Sequence, residues 1–310
     1  MPIEIMLIVS ITVCLLYGIS RKVFSRQFAG SLKPVNFFNG IVSIVSACVL
    51  LIWGGVGTIS SFTLLTGLAF GLLTAMQYLF MLKAISVGSW AYTTVVATLS
   101  TIIPTLSGWL FWNESISLVQ IIGIVLMFAC FILSTDLSSG ENKKLSLTWL
   151  FYAILVFFCT GGIGVMQKVH STSIYSGEQN GFLLLAFAFA TVFAFTMFTI
   201  VHFKERRNKP TITENKKSEQ VKVWDKYYSW VWIIIIILSG VCVAMNNKYN
   251  LYLSGVLDSA LFFPLVNGSN LILTTLFSCF IFKDKLKKLQ WLGLIIGMVS
   301  VTLLCNPFGW

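Results

Sequence analysis

The 310-residue chain is 57% apolar and only 10% charged, with a formal net charge of +10. A soluble domain carries roughly 25% charged residues because its surface faces water, so most of this surface must face lipid. The charges lie in short clusters between long uncharged runs, which excludes a nucleic-acid patch and makes the lipid bilayer the first partner.

A helix needs about 20 apolar residues to cross roughly 30 Å of hydrocarbon. Such runs occur at 3–20, 35–54, 61–82, 90–112, 117–135, 148–167, 181–203, 229–252, 256–282 and 289–306, here numbered 1 to 10. They predict an all-α membrane protein of ten transmembrane helices. A membrane barrel would show ten-residue alternating segments instead. The opening MPIEIMLIVS lacks the basic stretch of a cleaved signal peptide, so run 1 is expected to stay. All seven cysteines fall inside the runs with no CxxC spacing, so they read as packing residues and not as a metal or disulfide set.

Basic residues concentrate in cytoplasmic loops. Of the 21 Lys and Arg, 19 fall on one side of the ten runs, and only Lys168 and Lys248 on the other. This predicts both termini outside the cytoplasm, in a multi-pass protein of the cytoplasmic membrane. Residues 204–228 form the one long polar stretch, with charges of mixed sign, and read as a flexible cytoplasmic linker.

The chain also repeats itself. Residues 89–133 laid on 259–303 give eight identities in 45, and Glu114 falls on Asp284. GLLTAMQ (71–77) matches GVCVAMN (240–246), and GISRKVFS (18–25) matches GVMQKVHS (164–171). The offset grows by 23 between the last two matches, where the 204–228 loop stands against the short GVGTISS connection. The chain therefore divides into a repeat at 1–136, a linker at 137–147 and a second repeat at 148–306. Five helices per repeat force opposite insertion, and such inverted repeats carry a solute site near the midplane in transporters.

The segment AISVGSWAYTTVVATLSTIIPTLSGWLFWNESISLVQIIGIVLMFACFIL (84–133) resembles the EamA domain of the drug/metabolite transporter superfamily. Its specific features are Pro104 ten residues before Glu114, and Gly123 nine residues after it. FFPLVNGSNLILTTLFSCFIFKDKLKKLQWLGLIIGMVSVTLL (262–304) resembles the second such domain, with Asp284 and Gly293 at the matching places. The resemblance implies a ten-helix fold whose central cavity is lined by helices 1, 3, 4, 6, 8 and 9, moving small metabolites or drugs. Three features depart from the pattern. Thr274 stands where the first repeat has Pro104. The family's termini are usually cytoplasmic. The mid-helix carboxylate of the small-multidrug-resistance branch has no counterpart in run 1, where Glu4 lies at the end.

Polar side chains inside hydrocarbon face the bundle interior or a water-filled cavity. Run 4 carries such a stripe, with Trp90, Thr93, Thr94, Ser100, Thr101 and Pro104, and run 9 answers it with Phe263, Asn267 and Asn270. Gln77 and Asn246 occupy equivalent places in runs 3 and 8. The candidate substrate-binding residues are Gln77, Tyr78, Trp90, Thr94, Ser100, Asn246, Phe263, Asn267 and Asn270. Each either lines a pathway or packs one helix on another. Glu114 and Asp284, at helix ends, read as turn-organising or ion-paired acids. Lys248, Asp258, Lys168 and His170 are ionisable groups on the sparsely charged side.

The expected function is secondary transport of a small organic solute, such as an amino acid or a drug, by alternating access. The direction is export or facilitated flow. A lipid flippase is the alternative. A membrane-embedded enzyme would need convergent catalytic groups, and no nucleophile–base pair or metal-ligand set is present, so no catalytic residue, metal or cofactor is expected.

Overall fold

The long apolar runs all become helices, because backbone amides in hydrocarbon must be satisfied within their own segment. A computed structural model describes residues 2–28, 32–87, 90–134, 147–207, 230–282 and 287–305. They form α1 (Ile3–Phe28), α2 (Leu32–Gly54), α3 (Ser61–Val87), α4 (Trp90–Leu99), α5 (Ile102–Trp112), α6 (Leu118–Ser134), α7 (Leu147–Ser171), α8 (Gln179–Arg207), α9 (Trp230–Val256), α10 (Ser259–Phe282) and α11 (Lys288–Cys305). A 3-10 turn at Ser176–Glu178 leads into α8, and no strand occurs among the described residues. Most of the 137–147 linker, most of the 204–228 loop, and Asp284 lie outside them.

Eight stretches of helix are long and apolar enough to span a bilayer, and Leu118–Leu133 and Lys288–Leu304 are shorter apolar helices. Run 4 differs from expectation. It is broken at Ser100–Thr101 into α4 and α5. Pro104 has no N–H for the Ser100 carbonyl and its ring crowds that carbonyl. The Ile103 N–H takes the Ser100 carbonyl instead, at 3.0 Å, and the Thr101 N–H takes that of Thr98 at 3.2 Å. In α10 the helix runs unbroken through Thr274, the position matching Pro104.

The packing has two parts. One core joins α2, α3, α8 and α9 through Leu50, Phe70, Phe182, Leu183 and Leu251. Another joins α6, α10 and α11 through Met127, Phe131, Ile272 and Leu294. Glycines set the closest approaches. A Cβ at Gly71 would lie 3.0 Å from the Ala186 carbonyl and from Phe189 Cβ, so α3 and α8 touch backbone to backbone. At Gly123 the gap to α11 is equally narrow, and there Ser300 donates to the Gly123 carbonyl at 2.6 Å.

Outward-facing positions are apolar: Ile52 is 87% exposed, Leu147 86% and Phe111 74%. Burying such surface is favourable by about 25 cal/mol per Å², and lipid supplies that burial here. Many interior hydroxyls are satisfied by their own helix, as when Thr66 donates to the Phe62 carbonyl and Thr105 to that of Thr101. The molecule is a multi-pass membrane protein.

Candidate functional site

Six helix ends meet on one face of the bundle. There Glu114, just past α5, pairs with Lys168 of α7 at 2.6 Å. One Glu114 oxygen accepts the Ser259 N–H that opens α10, at 2.6 Å, and the other lies 3.3 Å from the Ser259 hydroxyl. Lys168 also donates to the Leu257 carbonyl at 2.9 Å. Ser171 of α7 meets Ser254 of α9 at 3.0 Å, and Trp112 donates to Thr172 at 2.9 Å. The α3 start joins the same face, since Glu178 accepts from the Ser60 N–H and hydroxyl.

These ends give a common depth scale. At about 1.5 Å per residue, Ser100, Thr160, Asn246 and Asn270 lie about 15–18 Å below this face, near half of a roughly 30 Å hydrocarbon layer. Ser100, Asn246 and Asn270 are thus brought to one level, together with the α4–α5 break. Thr160 joins them, and nothing in its apolar surroundings singled it out. Two atoms at this level, Asn270 Oδ1 and Thr160 Oγ1, are buried with no hydrogen-bond partner. An unsatisfied buried polar group is costly, and each of these atoms can accept a hydrogen bond.

The other candidates divide. Asn246 is held by a network, because Ser10 donates to Asn246 Oδ1 at 3.1 Å and to Asn250 Oδ1 at 2.6 Å, and Asn250 donates to Asn246 at 3.3 Å. Ser10 and Asn250 were missed from sequence. Their signal is a polar group inside the long apolar runs IMLIVSITVC and WVWIIIIILSGVCVAMNNKYN. Asn267 is exposed and its amide donates to the Phe263 carbonyl of its own helix, at 2.9 Å. Phe263 is buried, with its ring 5.0 Å from that of Phe262, and a Cβ at Gly164 would meet both Pro104 and Phe263. That ring therefore packs α5, α7 and α10 together.

Ser100 donates to the Ala97 carbonyl at 2.6 Å, which satisfies a group freed by the break. Gln77 and Tyr78 are half-buried and lie about 24 Å from the Ser60 face by helical rise, deeper than the Asn270 level. Trp90 opens α4 at the opposite end, and the side chains of Trp90 and Thr94 lie outside the described residues.

Of the ionisable groups, Lys248 donates to Asn180 Oδ1 at 2.9 Å and stands 4.5 Å from the Trp53 ring centre. His170 is buried with Nε2 3.2 Å from the Thr63 hydroxyl and its ring 4.4 Å from that of Phe182. Asp258 is exposed, and its carbonyl opens α10 by accepting the Leu261 and Phe262 N–H groups. The pairing expected of Glu114 with a basic neighbour is seen, and that neighbour is Lys168.

Residues 4–135 match the EamA-like transporter family. An uncharacterized protein of Haemophilus influenzae is 24% identical over 241 residues, spanning 76% of this chain and 72% of its own length. A solved crystal structure superimposes with a TM-score of 0.69 at 12% identity, covering 97% of this chain and 98% of the other, which is a likeness of fold.

Proposed function

The chain belongs, through residues 4–135, to the EamA-like transporter family, and from that premise we propose that it is a secondary carrier of a small organic solute. The membership supports a membrane transporter of small solutes. The carrier works by alternating access between two inverted five-helix repeats, 1–136 and 148–306, and acts as an exporter or a facilitator. The observation that carries this reading is the pair of unpartnered buried atoms, Asn270 Oδ1 and Thr160 Oγ1, level with the α4–α5 break. Interrupted helices at mid-membrane are where carriers of this kind hold their solutes.

Packing supports the repeat. Exchanging α1 with α7, α2 with α8, α3 with α9 and α5 with α10 maps the α3–α7 contact onto α9–α1. The same exchange maps α3–α8 onto α9–α2, and α5–α7 onto α10–α1, and all six contacts occur. Gln77 lies ten residues from one end of α3 and Asn246 ten residues from the opposite-facing end of α9, as a two-fold axis in the membrane plane requires. The charge asymmetry then puts the termini, and the Glu114 face, outside the cytoplasm in a cytoplasmic membrane.

The solute is neutral or zwitterionic, with amino acids the leading class. Glu4, Glu114, Glu178 and Asp258, the carboxylates whose side chains are described, all stand near helix ends. An amide carbonyl and a hydroxyl suit ammonium, amide or hydroxyl donors, without a counter-charge for a fixed cation. The flippase reading draws on one feature, a mostly apolar cavity of about 390 Å³ between α1, α10 and α11, lined by Ile8, Thr12, Ser269 and Leu273 among others. An acyl chain fits such a cavity. Uptake and efflux by proteoliposomes against a metabolite panel test the proposal. Flux of at least one solute above empty liposomes is expected; equal flux for every solute would overturn it, and lipid scrambling in its place would favour the flippase.

A further inference from the structure

The Glu114 cluster crosses the boundary between the two proposed repeats. Glu114 follows α5 in the first repeat, whereas Lys168, Leu257 and Ser259 belong to the second. The two charged side chains are only 7% and 5% exposed. Beside them Ser171 and Ser254 meet within the second repeat, and Trp112 of the first repeat donates to Thr172 of the second. Close approach is built in. A Cβ at Gly108 would collide with the Glu114 carboxylate and Ser259, and one at Gly255 would lie 2.9 Å from the Ser171 carbonyl. The cluster lies directly above the level of Asn270 and Thr160, so it stands between that level and the outside.

Its chemistry suits a seal that opens. An apolar plug resists separation in proportion to the area it would expose to water. A buried ion pair is different, because desolvation offsets most of its attraction and both ions are rehydrated when parted. Such a pair is a weak source of net stability but holds a sharply defined closed geometry. The Glu114–Lys168 link between the repeats is of this kind, and beside it Leu253, Phe262 and Phe263 pack against Ile3, Met6 and Leu7 of α1.

We propose that the Glu114–Lys168 pair is the outer gate of the carrier, closed in this structure and broken each time the solute site opens to the outside. The proposal rests on the alternating-access reading above. Its test reads accessibility, not transport. Asn267→Cys, at an exposed position below the gate, serves as reporter in the full chain reconstituted in proteoliposomes, labelled from outside with a membrane-impermeant maleimide. The same protein without this cysteine measures the contribution of the native ones.

Labelling is expected to rise at least tenfold on adding Glu114→Gln or Lys168→Met, and to fall back when the charges are exchanged in a Glu114→Lys/Lys168→Glu protein. Unchanged labelling in both single variants would overturn the gate. Labelling that follows the pair while no solute crosses would leave the gate standing and remove the transport reading instead.

Discussion

At the residue scale, Glu114 uses both oxygens, accepting from an ammonium, a backbone N–H and a hydroxyl. Removing one partner of a buried pair leaves an uncompensated charge, at a cost of about 3–5 kcal/mol. Lys168→Met should therefore lower the thermal midpoint in detergent markedly, and the Glu114→Gln/Lys168→Met double variant should recover most of the loss; equal midpoints for the two proteins would contradict this. Gly108→Ala forces the carboxylate aside and should destabilise by about 1–3 kcal/mol. Asn270 behaves oppositely. Its Oδ1 contributes no hydrogen bond within the protein, so Asn270→Ala should leave the midpoint nearly unchanged. A lost solute bond of about 0.5–1.5 kcal/mol predicts a KM raised about 2- to 10-fold in the flux assay. The acid at position 114 was visible in the sequence as a pairing candidate. Its partner was not, because Lys168 lies on another helix and only packing brings the two together.

At the element scale, the α4–α5 break follows from Pro104, which was in view, but the same sequence would also allow a kinked continuous helix. Placing the break at Ser100–Thr101 took the hydrogen-bond pattern, in which the Ser100 hydroxyl and the Ile103 N–H cover the freed carbonyls. Pro104→Ala restores the missing donor and should join α4 to α5. Amide exchange across residues 100–104 should slow and solute flux should fall several-fold with the protein still folded; unaltered flux would show the break to be incidental. Pro264 is tolerated near the start of α10, where the helix stays continuous. The α3–α8 contact leaves no room for a side chain at Gly71, so Gly71→Leu should abolish a monodisperse peak in size-exclusion chromatography. Gly67 and Gly71 have the spacing that lets helices approach closely, and both lie against α8.

For the whole molecule, apolar outer faces and clustered loop charges make the bilayer part of the fold. The charge asymmetry has a direct consequence. A reporter fused after Trp310 should be extracytoplasmic and one inserted within 208–229 cytoplasmic; the reverse result would invert the sidedness of the gate. Membrane class, the position of the apolar runs and the expected orientation were determined by sequence alone, because length, hydropathy and loop charge act locally and need no tertiary contact. Which face of each helix looks inward was decided only by the tertiary structure. A helix surrounded by lipid on one side and helices on the other is apolar on both, so the periodicity that orients a soluble helix is nearly lost. For that reason Asn267 and Asn270 looked equivalent in sequence. Only packing turns one back on its own helix and leaves a buried oxygen of the other without a partner.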